Sequence, residues 1–88
     1  AAEFGIVNKV VPDNELDAEV DDWAARLASG PPLALAMTKR MLTLNASNDF
    51  KSALEAEGLA QTINFYTSDT KEAVAAFLEK REPEFRGK

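Results

Sequence analysis

Near the end of the chain, Phe77 is followed one helical turn later by Lys80 and Arg81, and the run stops at Pro83. An aromatic face set one turn before two cations suits a ligand that carries a flat ring and phosphates. The ring stacks while Lys80 or Arg81 pairs with the anion. The plainer alternative places Phe77 in a core and leaves the two cations to complement the negative end of a helix. No His or Cys occurs, which removes imidazole bases, thiolate nucleophiles, disulfides and the usual zinc sites. Chemistry must then rest on carboxylates, amines, hydroxyls or backbone amides. Adjacent Asp21 and Asp22 point in different directions on a helix, and Glu55 and Glu57, two positions apart, face different sides. Neither pair suits acid/base work or a metal, so no catalytic residue and no metal ligand is assigned.

The 88 residues permit one small domain, near the size at which a single core supplies only about 3 to 5 kcal/mol. The net charge of −5 is concentrated at one end: residues 1 to 30 hold seven acids against two bases, and residues 31 to 88 hold eight of each. That distribution argues against general nucleic-acid binding, which needs a basic face to displace counterions. A local anion site near the C-terminus remains compatible with it. No apolar stretch approaches the roughly 20 residues that span a bilayer, and no signal-peptide pattern is present. A soluble, cytoplasmic protein is expected.

Residues Gly5 to Val11 are rich in β-branched types and end at Pro12-Asp13-Asn14, which reads as a short strand or extended segment followed by a turn. A single strand leaves its backbone groups unpaired, so its partners are expected outside this chain or on another copy, as in a fragment of a larger fold. The rest reads as mainly α, with about four helices near residues 15 to 29, 32 to 45, 49 to 66 and 69 to 81. Asp13 or Asn14 is expected to cap the first, whose stripe is Leu16, Val20, Trp23, Ala24 and Leu27 and whose acidic side is solvated. Gly30 closes it. Pro31 and Pro32 start the second, which is apolar over much of its girth and expected to lie buried between neighbours, with Lys39 and Arg40 snorkelling at its edge. Asn48 or Asp49 caps the third, where Gly58 costs about 1 kcal/mol against alanine and makes sense if another backbone approaches closely. Asp69 with Glu72 forms a capping-box-like start to the fourth. Phe85 follows in a tail too short to pack unless something holds it.

The order of these pieces resembles a known family. Gly5-Ile6-Val7-Asn8, Val10-Val11-Pro12, Pro32 with Lys39, Glu57 with Gln61, Asp69 with Glu72, and the run from Ala76 to Gly87 are together similar to the C-terminal region of the enoyl-CoA hydratase/isomerase, or crotonase, family. The likeness covers essentially the whole chain. Ala73 departs from it, at a position where members frequently carry glycine; alanine suits a helix better, so the fold is expected to survive.

The resemblance implies an upstream ββα spiral core whose backbone amides form an oxyanion hole for a thioester enolate, with upstream glutamates as acid and base in hydratases. None of those segments is in this chain. It implies that residues 1–14 end that core. Residues 15–88 form a helical region that builds trimer or dimer-of-trimers contacts and closes the acyl-CoA site. By motif position Phe77 and Lys80 contact CoA, the ring at adenine and the ammonium at a phosphate. The expected activity is hydration of a 2-enoyl-CoA, with the CoA thioester as substrate, no cofactor, and no catalysis by the 88 residues alone. Isomerisation, thioester hydrolysis, dehalogenation and decarboxylation are also open within the family, because upstream residues set the reaction. The alternative from a different class is an independent helical module that self-associates and has no enzymatic activity.

Overall fold

Turn and cap residues set the boundaries of four helices in the computed structural model, which describes residues 1–88. A 3-10 turn at Asp13–Glu15 leads directly into α1 (Leu16–Ala28); α2 (Pro32–Asn45), α3 (Phe50–Phe65) and α4 (Ser68–Glu79) follow. Neither Asp13 nor Asn14 caps α1 with its side chain. The Glu15 amide instead donates to the Pro12 carbonyl at 2.9 Å, so backbone bonds carry the chain into the helix. At the other end of α1 the Gly30 amide donates to the Leu27 carbonyl at 3.1 Å. A β-carbon at Gly30 would lie 2.9 Å from Leu35 Cδ1, so the small residue lets α2 start close beside α1. Pro32 occupies the first turn of α2, where its missing donor costs nothing. Asp49 caps α3, accepting the Ser52 amide at 2.8 Å.

Helices α2 and α3 pack side by side, with Met37, Met41, Ala60 and Gln61 along their seam. Helix α2 is only partly covered there, because Leu42 stays 73% exposed, so within this chain it lies at a surface instead of between neighbours. A β-carbon at Gly58 would meet nothing within 4 Å, so no backbone of this chain explains that glycine.

The start of α4 differs from the capping box expected at Asp69 and Glu72. Thr67 is the cap: its hydroxyl accepts the Thr70 amide at 3.1 Å and donates to the Asn64 carbonyl at 2.7 Å. Asp69, 4% exposed, turns the other way and takes the Arg86 and Gly87 amides, both at 2.8 Å. The Ser68 hydroxyl and the Asp69 amide donate to the Lys88 main-chain oxygen at 2.8 and 3.1 Å. The tail beyond α4 therefore doubles back along that helix to its first turn. Gly87 adopts φ +71° there, beside the Pro32 ring.

No strand forms. Residues 1 to 6 curl into a turn, with Gly5 donating to Ala2 at 3.0 Å and Ile6 to Ala1 at 3.1 Å, and residues 7 to 12 follow without regular structure. The chain offers no ladder partner, so the β-branched run lies along α1 instead. Ile6, Val7, Val11, Val20, Trp23 and Leu27 share one open apolar groove. Lys9 Nζ reaches Glu19 at 2.7 Å, Glu19 accepts the Trp23 indole N–H at 3.0 Å, and Arg26 lies 5.3 Å over the Trp23 ring.

Ala76, 1% exposed, is the one buried apolar residue. The accessible surface is 7525 Å², against about 5100 Å² for a folded monomer of this mass. The radius of gyration is 16.3 Å, against about 12 Å for a globule of this length. The chain is a slab of 42 × 39 × 19 Å that leaves large apolar residues such as Leu42, Phe50, Leu59 and Phe65 exposed.

Two outcomes are expected. The isolated chain should associate with copies of itself or with a separately supplied core, read by sedimentation at several concentrations; a concentration-independent monomer with a full thermal transition would support a self-sufficient domain. Gly58→Ala should raise the helix stability of the isolated chain by about 1 kcal/mol, read by circular dichroism on heating. A loss instead would mean that a second chain closes on Gly58.

Candidate functional site

The last turn of α4 carries Phe77, whose ring is 81% exposed, so within this chain it is not a core residue. The helix ends at Glu79, two residues before the expected limit at 81. Lys80 follows with φ 54° and ψ 43°, the one non-glycine residue in the left-handed region. Arg81 N–H reaches back to the Ala76 carbonyl at 3.0 Å and Lys80 N–H to that of Phe77 at 3.3 Å, the paired closure that usually recruits glycine. For a lysine this backbone costs about 1 kcal/mol.

The two adjacent cations have separate fates. Lys80 makes no salt bridge within the chain. Arg81 is fully committed: its Nη2 donates to Glu72 Oε2 at 3.0 Å, its Nη1 to Glu72 Oε1, its Nε to Glu79 at 2.6 Å, and its Nη1 also to the Glu82 carbonyl at 3.3 Å. Glu72 Oε1 additionally accepts the Glu84 amide at 2.9 Å. The two adjacent cations are thus unlike: the Arg81 guanidinium is held by Glu72 and Glu79, and the Lys80 ammonium is not held by the chain.

The same contacts set the electrostatics. The Arg81 fork, followed by the Glu84 N–H, pulls the Glu72 carboxyl down to about 2, since both favour the ionised form. Glu72, then Glu79, pushes the Arg81 guanidinium further up. At the other end of the molecule Lys9, then the Trp23 indole, lowers Glu19.

Phe77 and Lys80 stand exposed at the end of α4 and do not line the groove that runs between α4 and the tail past Lys71, Glu72 and Arg86. An exposed helix end binds little alone. Here it presents an exposed aromatic residue and an ammonium with no ion-pair partner in the chain. No three Asp or Glu side chains converge as a metal site, and Glu55 and Glu57 are not brought together with any partner acid. Helical periodicity missed the pairing of Glu72 with Arg81 because they sit nine residues apart and meet only when the tail folds back. The available signal was the density of charge and amides from Arg81 to Gly87 in a segment with no other reason to be ordered.

Because folding depresses Glu72, its contribution is present above its ordinary value near 4.5 and is lost as pH falls toward about 2. The Glu84 amide should lose hydrogen-exchange protection over that window, and Glu72→Gln should remove that part of the acid dependence. An unchanged profile in the variant would assign the acid sensitivity to another carboxylate.

A sequence profile described as enoyl-CoA hydratase/isomerase matches residues 1–88. The crotonyl-CoA hydratase of Syntrophomonas wolfei is 39% identical over 88 residues, covering 100% of this chain and 34% of that protein. The 1,2-epoxyphenylacetyl-CoA isomerase of Escherichia coli is 33% identical over the same length, again 34% of its own. The crystal structure of an enoyl-CoA hydratase from Bacillus anthracis superposes with a TM-score of 0.91 at 32% identity, over 100% of this chain and 34% of that one. Subunit I of the Geobacillus kaustophilus enoyl-CoA hydratase gives 0.88 at 40%, over 100% and 34%. The chain therefore spans about a third of the length of these relatives. With its whole length matched and its helices superposing on crotonase-fold structures, the chain belongs to the enoyl-CoA hydratase/isomerase family.

Proposed function

We propose that this chain is the C-terminal helical part of an acyl-CoA-processing enzyme that hydrates a 2-enoyl-CoA thioester through an enolate. In this reading residues 1–14 end the core and residues 15–88 supply subunit contacts, in a trimer or a dimer of trimers, and close the CoA site. The chemistry belongs to residues outside the 88, so the chain alone is inactive. Hydration is favoured among the family's reactions by the names of the relatives, which include a crotonyl-CoA hydratase and a short-chain-enoyl-CoA hydratase.

The observation that carries the site assignment is the free ammonium of Lys80, three residues beyond the exposed ring of Phe77, on a turn whose other cation is fully paired. A partly dry interface strengthens the attraction of an ammonium for a phosphate, and an exposed ring gives adenine a stacking face. The exposed apolar residues support the need for a further protein surface. They also suit a self-associating helical module without enzymatic activity, which a native 88-residue product would favour, whereas an upstream reading frame or a larger intact mass favours the enzyme.

In the full-length enzyme, Lys80→Ala should weaken acyl-CoA binding by about tenfold while a truncated thioester lacking the nucleotide is much less affected. Lys80→Gly should lose the same affinity yet stabilise the turn by about 1 kcal/mol, which separates charge from folding. Equal effects on both thioesters would leave Lys80 an ordinary helix-terminal cation.

A further inference from the structure

The left-handed turn at residue 80 is imposed from outside that residue. The Lys80 ammonium has no partner in the chain, whereas the next residue, Arg81, is forked onto Glu72 two and a half turns back along α4, and Glu84 is tied to the same carboxylate. We propose that Glu72 is a positioning residue for nucleotide recognition: by holding Arg81 and the Glu84 amide it fixes the left-handed backbone of Lys80 and so delivers the ammonium to the phosphate. This rests on the reading that Lys80 pairs with a CoA phosphate.

Three features carry it. A non-glycine residue stays left-handed only where its surroundings over-determine it; here the Lys80 and Arg81 N–H groups close the turn onto Phe77 and Ala76, and the Arg81 side chain is anchored to Glu72 beside them. Glu72 is the one side chain that joins both Arg81 and the segment beyond Pro83 to α4, and Asp69 takes over only at Arg86. Glu79 also meets Arg81, but it lies two residues away and more exposed, so it cannot tie the turn to the body of the helix. Glu72 additionally neutralises Arg81, leaving Lys80 as the uncommitted cation of the pair. Without Glu72, residue 80 relaxes to right-handed or extended backbone and the ammonium leaves its place at the end of α4.

The test uses the full-length enzyme carrying Glu72→Ala or Glu72→Gln, each alone and combined with Lys80→Ala. KM and kcat are measured on an acyl-CoA and on the matching N-acetylcysteamine thioester, which lacks the nucleotide. Glu72→Ala should raise KM for the acyl-CoA about fivefold with a much smaller change in kcat, and should add nothing further once Lys80 is alanine. Glu72→Gln, which keeps an acceptor for the Glu84 amide, should be milder and supplies the reading if the alanine variant does not fold. Equal KM increases on both thioesters, full additivity with Lys80→Ala, or tighter acyl-CoA binding through a freed Arg81 would overturn the proposal. If Lys80→Ala discriminates between the thioesters and the Glu72 variants do not, only this inference falls. If Lys80→Ala does not discriminate, the phosphate assignment falls and takes this one with it.

Discussion

Asp69 and Glu72, one turn apart on α4, accept three main-chain N–H groups from Glu84, Arg86 and Gly87 and the Arg81 guanidinium. A nine-residue tail without helix or sheet has no internal way to satisfy its backbone, and these two carboxylates do it instead. Charged acceptors make each such bond stronger than its neutral counterpart. The rest of the α4 region follows: the tail lies along the helix, Gly87 meets the Pro32 ring that opens α2, and the turn between helix and tail is held where Lys80 stands.

Apolar burial contributes comparatively little to the order of this chain, which is unusual for a helical protein. The helices owe their limits to caps and prolines, and the connections owe theirs to hydroxyl and carboxylate contacts such as the Thr67, Thr70 and Asn64 cluster. Local geometry of this kind specifies shape without supplying much cohesion. Cohesion within the chain is correspondingly small, with Ala76 its one buried apolar residue.

Much of the fold was legible because helix punctuation is a local code. Pro32, Gly30 and Asp49 act where their residue types indicate, and the four helices lie within three residues of the limits read from the sequence. What was not legible is non-local. Asp69 and Glu72 have the spacing of a capping box, but the tail competes for them and Thr67 takes over the cap. The β-branched run at Ile6 to Val11 has strand propensity and no partner, so propensity alone decided nothing. Spacing set Phe77 before two cations without choosing between them, and the difference between Lys80 and Arg81 depended on a contact nine residues back.

The chain contains one tryptophan, and it sits in the apolar groove of α1 with its indole N–H bound to Glu19 and Arg26 above its ring. The single tyrosine, Tyr66, lies exposed beside the junction of α3 and α4. Intrinsic fluorescence therefore divides along the architecture: indole emission follows the covering of the N-terminal groove, and phenol emission follows the junction of α3 and α4. Assembly at one end and rearrangement at the other are optically separable in the unlabelled protein.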